Sequence, residues 1–188
     1  MTYEELRNDL ENLSLNNALD VICKAFADVQ KIYPDYSPIA PHVKRTARAD
    51  ASTFNADLES VEDVVERLKE FGASIKDLQI NGSGEPIILA FQAKRPIGET
   101  KLSQPAGETF TVVQTDHGLK VRGHAVIRVE PTEIVTAVLT DEGQNNYVLA
   151  TLYPGMLEDL PNMDGLTEGD QLTQSDLQDR KIIRVIPE

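Results

Sequence analysis

The stretch that most constrains this chain runs from Gly123 to Gly155. Gly123-His124-Ala125-Val126-Ile127-Arg128-Val129-Glu130-Pro131 is followed by a β-branched run, Ile134–Thr140, a polar turn, Asp141–Asn146, and a second apolar run, Tyr147–Tyr153, closed by Pro154-Gly155. Val, Ile, Thr and Tyr favour a pleated, half-buried backbone, and the polar turn between two such runs reads as a hairpin. Pro131-Thr132-Glu133 could instead open a short helix, so residues 131–140 are open to either state, with strand preferred. A chain carrying this much strand must build a sheet, and the first strand is expected to form its spine.

The rest of the chain supplies what packs on that sheet. Thr2 and Glu5 have capping-box spacing, and Leu6, Leu10 and Leu13 follow at helical intervals. Leu15, Leu19, Ile22, Phe26 and Val29 continue the stripe until Pro34, with Ser14 as a break or second cap. The expectation is one long or two short helices over residues 2–32. Ser60 and Asp63 start another helix with Val61, Val64, Val65, Leu68 and Phe71 on its inner face and Gly72 at its end. Leu78 and Ile80, then Ile87–Phe91, flank Asn81-Gly82-Ser83-Gly84 as a hairpin over 77–93. Beyond residue 108, Phe110–Gln114, the turn Asp116-His117-Gly118, and Leu119–Arg122 continue the strand pattern. Thr173 and Asp176 cap one helical turn, Gln174–Asp179, and Lys181–Ile186 reads as a last strand, its adjacent Ile182 and Ile183 implying burial on both faces or a bulge. The expected fold class is α+β, with N-terminal helices packed with a mainly antiparallel β-sheet over 108–186. The organisation is a helical lobe with a β-hairpin over 1–107 and a β-rich lobe over 108–188, or one continuous domain.

Composition narrows the function. A net charge of −13 over 188 residues repels phosphates, so nucleic acid is disfavoured, and the charge fits solubility or a basic protein partner; the expected partner is a protein, or the chain itself by self-association. No apolar run approaches the ~20 residues of a membrane span. The acidic N-terminus does not read as a signal peptide. The single cysteine, Cys23, forms no intramolecular disulfide, which fits a reducing cytoplasm. Its helical setting reads as a small core residue and not a nucleophile. The expectation is a cytoplasmic protein of bacterial style.

The chemical motifs are few. Gly82 and Gly84 precede a strand-like segment, which removes the phosphate-cradling contexts. Lys44, Arg45 and Arg48 form the densest basic cluster and read as a solvated loop balancing acidic helices; His42 reads as a loop residue. Asp164, Glu168 and Asp170 with Gly165 and Gly169 could form a calcium loop, but they depart from the EF-hand order. His117 and His124 lack a thiolate partner for zinc. No cofactor or metal is expected.

One constellation remains. On a strand, His124, Val126 and Arg128 share a face. A histidine to move a 2′-hydroxyl proton, an arginine to stabilise a phosphorane and Tyr153 to orient or protonate would suffice for metal-free RNA cleavage. The segment carrying Gly123-His124-Ala125-x-Ile127-Arg128 and ending Ala150-Thr151-Leu152-Tyr153-Pro154-Gly155 resembles the small sheet-based RNases of bacterial toxin systems, of the colicin and toxin–antitoxin type. The resemblance covers about a third of the chain and implies catalytic roles for His124 and Arg128. Against it, residues 91–153 carry six basic and seven acidic side chains. Two functional readings follow: a non-catalytic protein that binds a protein partner, and a metal-independent RNase-like enzyme using His124, Arg128 and Tyr153. In the first, Arg128 lies on a solvated strand face beside Glu130 or Glu133.

Overall fold

A computed structural model of the chain describes residues 1–12, 14–48 and 51–188. Leu13, placed above on the first helical stripe, lies outside the described residues. In chain order the elements are helices α1 (Tyr3–Glu11) and α2 (Leu15–Ile32), a 3-10 turn (Ala40–His42), strand β1 (Thr53–Phe54), helix α3 (Val61–Glu70), and strands β2 (Ser74–Ile80), β3 (Ile87–Gln92), β4 (Gly98–Pro105), β5 (Thr109–Thr115), β6 (Gly118–Gly123), β7 (Ala125–Thr132), β8 (Ile134–Asp141), β9 (Tyr147–Pro154) and β10 (Gln171–Thr173), then helix α4 (Gln174–Asp179) and strand β11 (Ile186–Pro187). The class is α+β, as expected. Among the described residues no helix is long and apolar enough to cross a membrane.

Local chemistry sets the helix starts. The Thr2–Glu5, Ser60–Asp63 and Thr173–Asp176 pairs all close as reciprocal capping boxes, each satisfying two amides that a first turn would leave bare. Ser14 Oγ accepts from Asn17 N at 3.1 Å as the N-cap of α2, while Asn12 is the C-cap of α1, so two helices form and not one. Gly72 takes φ +61° just beyond α3, the left-handed conformation that ends a helix at low steric cost.

The chain divides into two compact units. Residues Met1–Thr100 and Pro131–Met156 form one; Lys101–Glu130 and Leu157–Glu188 form the other. The first contains a four-stranded antiparallel sheet ordered β2-β3-β8-β9. The hairpin over 77–93 and the hairpin over 134–154 therefore share one sheet; of residues 131–140, 131–132 end β7 and 134–140 lie in β8, so the stretch is extended and not helical. Ile87, Leu89, Phe91, Val135, Ala137, Leu139, Tyr147 and Leu149 all bury their side chains with Leu6, Leu19, Ile22, Val64 and Leu68 from the helices. Burying each such side chain contributes roughly 1.5–3 kcal/mol, so this is the stabilising core. β9 carries a bulge: Val138 pairs with Thr151 but Leu139 with Leu149, leaving Ala150 as the extra residue. The buried phase moves from Tyr147 and Leu149 to Leu152 and Pro154 across it. The Ala150 carbonyl accepts from the Tyr36 hydroxyl.

The second unit holds a sheet ordered β10-β5-β6-β11, with β11 parallel to β6. Its core is Phe110, Val112, Val121, Leu172, Leu177, Ile182 and Val185. The strands beyond residue 108 are thus shared between separate sheets, and no single sheet spans 108–186. The final strand is also shorter than expected. Only Ile186–Pro187 is strand; Ile182 and Val185 turn inward while Ile183 is 46% exposed. The adjacent isoleucines reflect irregular backbone that inserts every third residue, rather than a strand buried on both faces. The third sheet, β1-β4-β7, has β7 at its edge.

Candidate functional site

Gly123, which ends β6, packs beneath the Phe110 ring: a Cβ there would lie 3.0 Å from Phe110 Cε1 and 3.2 Å from Cγ, and closer still to Cδ1. His124 follows in a short exposed link whose carbonyl accepts from Ala106 N at 2.9 Å. Arg128 is exposed in the middle of β7. The strand does not form a sheet spine. Val126, Ile127 and Val129 are 53%, 44% and 50% exposed, so residues of both side-chain phases reach solvent. Alternation along a strand predicts burial only where something packs on one face, and the buried spine is β3 with β8 and β9. Pro131 continues the strand as an edge residue instead of interrupting it. Lys120 and Arg122 are exposed on β6. Glu133 accepts from Gln92 Nε2 at 2.9 Å.

Tyr153 belongs to the other compact unit from His124 and Arg128. It lies opposite Thr136 on β8, past the Ala150 bulge, and its ring is 5.6 Å from that of His42 at 37°. The structure therefore joins Tyr153 to a histidine that the sequence left in a loop. His42 Nδ1 is 2.9 Å from the Ser52 carbonyl oxygen and 3.2 Å from Ser52 Oγ. A carbonyl only accepts, so Nδ1 carries the hydrogen and Nε2 the lone pair. With Nδ1 protonated, it cannot take the Ser52 hydroxyl proton, and Ser52 is no base-activated nucleophile. Burial pushes the imidazole below its ordinary 6.5, partly opposed by the Ser52 hydrogen bond. The ring is a neutral structural bridge between Ser52 and the Tyr153 ring near the end of β9. Of the basic residues following it, Arg45 pairs with Glu59, in the loop before α3, at 3.6 Å.

Cys23 corrects its reading. It is exposed, not a core residue. The inward face of α2 is Ala18, Leu19, Val21, Ile22, Ala25 and Val29, and one step of about 100° beyond Ile22 turns residue 23 outward. Desolvation, with Asp20, Glu62 and Glu66, pushes its thiol up against the opposing pull of Lys69. An acid-surrounded thiol of raised pKa is a weak nucleophile at neutral pH.

In the 164–170 loop the local groups serve the loop itself. Asp170 accepts from Thr167 N at 2.9 Å and Thr167 Oγ1 at 3.2 Å. Arg180 Nη1 donates to the main-chain carbonyls of Asn162 and Asp164 at 3.1 and 2.7 Å, tying that stretch to the end of α4. Among the described residues no three His, Cys, Asp or Glu side chains form a group that could hold a metal ion. Nearby, Arg184 Nε donates to both oxygens of Glu158 at 2.8 and 3.1 Å.

Searches of protein-family models, curated proteins and solved structures find nothing that matches this chain. The His42–Ser52–Tyr153 cluster escaped sequence reasoning because its members lie 10 and 101 or more positions apart and the bulge that sets the Tyr153 phase leaves no pattern.

Proposed function

We propose that the protein is a non-catalytic cytoplasmic module that acts by binding another protein chain, with β7 as its contact element. The observation that carries this reading is the exposure of Val126, Ile127 and Val129 together on one edge strand. Edge strands are normally blunted by charge, brevity or cover, because unpaired main-chain groups beside apolar side chains invite pairing with another chain. Eight residues with three half-exposed aliphatic side chains favour an edge kept for contact. The net charge of −13 would repel nucleic acid over long range.

A photo-crosslinker at Ile127 tests the reading against one at Lys76 on β2. Stoichiometric crosslinking to a protein from position 127, lost when Val129 is changed to Lys, is the expected result. Equal labelling from both positions, or none from either at physiological salt, would end it. The RNase alternative is separated by incubation with total RNA under chelator. The binding reading expects no cleavage that His124→Ala removes.

A further inference from the structure

The free edge of β7 has a charge and hydrogen-bond pattern that matches itself. His124 and Thr132 both turn their carbonyls inward, accepting from Ala106 N at 2.9 Å and Ile97 N at 2.8 Å. They are an even number of residues apart. Along a regular strand the even-numbered residues therefore bond toward β4, and Ala125, Ile127, Val129 and Pro131 present their main chain to the outer edge. Pro131 offers a carbonyl there but no N–H. Side chains divide by the same parity: Val126, Arg128 and Glu130 lie on one face, Ile127, Val129 and Pro131 on the other.

We infer that the occupant of this edge is a second copy of the chain, paired antiparallel about a two-fold axis through Val129. The inference rests on the reading of β7 as a protein-contact strand. In this register Val129 faces Val129 of the second copy as a hydrogen-bonded pair, and each Ile127 N–H donates to the other copy's Pro131 carbonyl. The missing proline N–H removes a bond only at the ends of the ladder. Arg128 lies directly opposite the other copy's Glu130, and Glu130 opposite its Arg128. Both pairs fall at non-hydrogen-bonded positions, where side chains approach most closely. Glu130 also has an interaction within its own chain; a carboxylate has acceptor sites for both. On the opposite face Ile127, Val129 and Pro131 of the two copies form one apolar stripe, covering side chains now about half exposed.

Charge selects this register over its neighbours. Moving the axis to Arg128 sets Arg128 against its own copy. Moving it to Ile127 sets Arg128 against Val126 and loses both ion pairs. A closed two-fold contact uses the same edge on both chains, so pairing stops at two copies and does not propagate.

Sedimentation equilibrium of the full chain, from micromolar to millimolar concentration at physiological salt, which screens the repulsion between two chains of net charge −13, tests the inference. The wild type is expected to pass from monomer to dimer and no further. Arg128→Glu sets acid against acid twice and should weaken the dimer about tenfold or more. Adding Glu130→Arg restores opposite charges and should recover most of the loss, which a merely unfolded variant could not do. Val129→Pro removes a central donor and should abolish the dimer. A wild type that stays monomeric throughout, or a dimer indifferent to Arg128→Glu, overturns the second-copy assignment. A monomer that still crosslinks another protein from position 127 refutes this inference alone, whereas a monomer that crosslinks nothing refutes the binding reading with it.

Discussion

Replacing Gly123 with Ala tests how the second unit is held together. The backbone there is ordinary extended strand, so alanine is not excluded by conformation; on backbone entropy alone it would gain about 0.5–1 kcal/mol. The new Cβ, however, would meet Phe110 at 3.0 Å from Cε1 and 3.2 Å from Cγ, and still nearer to Cδ1. Phe110 is 1% exposed and is packed by Val112, Val121, Leu172, Leu177, Ile182 and Val185. Its ring must retreat into a core with little slack. Overpacking of this kind costs about 1–3 kcal/mol, and a clash this close belongs near the upper end. A net loss of about 2 kcal/mol follows, and for a chain of 188 residues each kcal/mol lowers the melting temperature by about 2–4 °C.

The assay is a double-mutant cycle with Phe110→Leu. Leucine lacks the ring edge that meets the new methyl group, so Gly123→Ala should cost much less in the Phe110→Leu background, with a coupling of about 1–2 kcal/mol. Urea unfolding followed by amide exchange at Val112 and Val121 reads the local stability of this unit apart from that of the first. Additive changes in the cycle, or a single-variant loss below about 0.5 kcal/mol, would refute the claim that Gly123 exists to admit Phe110.

Three further outcomes follow from particular contacts. Tyr147 is fully buried, and its hydroxyl accepts from Gly84 N and donates to Glu85 O, both at 2.9 Å, fastening the β2–β3 loop to β9. Tyr147→Phe should cost about 1–3 kcal/mol by thermal or urea unfolding and deprotect the Gly84 amide; an unchanged Gly84 exchange rate would show the loop is held otherwise. His42 has a folded pKa below its unfolded 6.5. The unfolded chain therefore binds the proton first as pH falls, and stability declines from about pH 6.5 down through the folded value, with no His42 contribution to pH dependence above it. His42→Phe should flatten that part of the stability–pH curve, and an unaltered slope would contradict the burial argument. Cys23, although exposed, should alkylate with iodoacetamide at neutral pH more slowly than free glutathione, read by mass spectrometry. Faster reaction would mean that desolvation and the surrounding carboxylates do not govern it.

Much of the local structure was legible residue by residue. Thr2, Ser60 and Thr173 announce their helices because a capping hydroxyl and its carboxylate partner lie three positions apart. The turn at Asp116-His117-Gly118 and the hairpins over 77–93 and 134–154 were equally clear, since a turn and its flanking strands are adjacent in the chain. Where the candidate site was concerned, the types of residue were visible but their setting was not. His124 and Arg128 looked like one face of a half-buried strand, yet β7 has apolar residues exposed from both phases. His42, dismissed as a loop residue, is the histidine that meets Tyr153.

The sequence by itself determined where the capped helices begin and where the hairpins turn, because capping and turn chemistry act over a few residues; the extents of β7 and of the last strand did not follow from it. Tertiary structure alone decided which strands share a sheet, which strand is left at an edge, and which way Tyr153 turns. Those outcomes depend on pairings between distant segments, such as Ile88 with Val138, and on a single extra residue at Ala150. Periodicity says that a strand has two faces. Only the partners it finds settle whether either of them is covered.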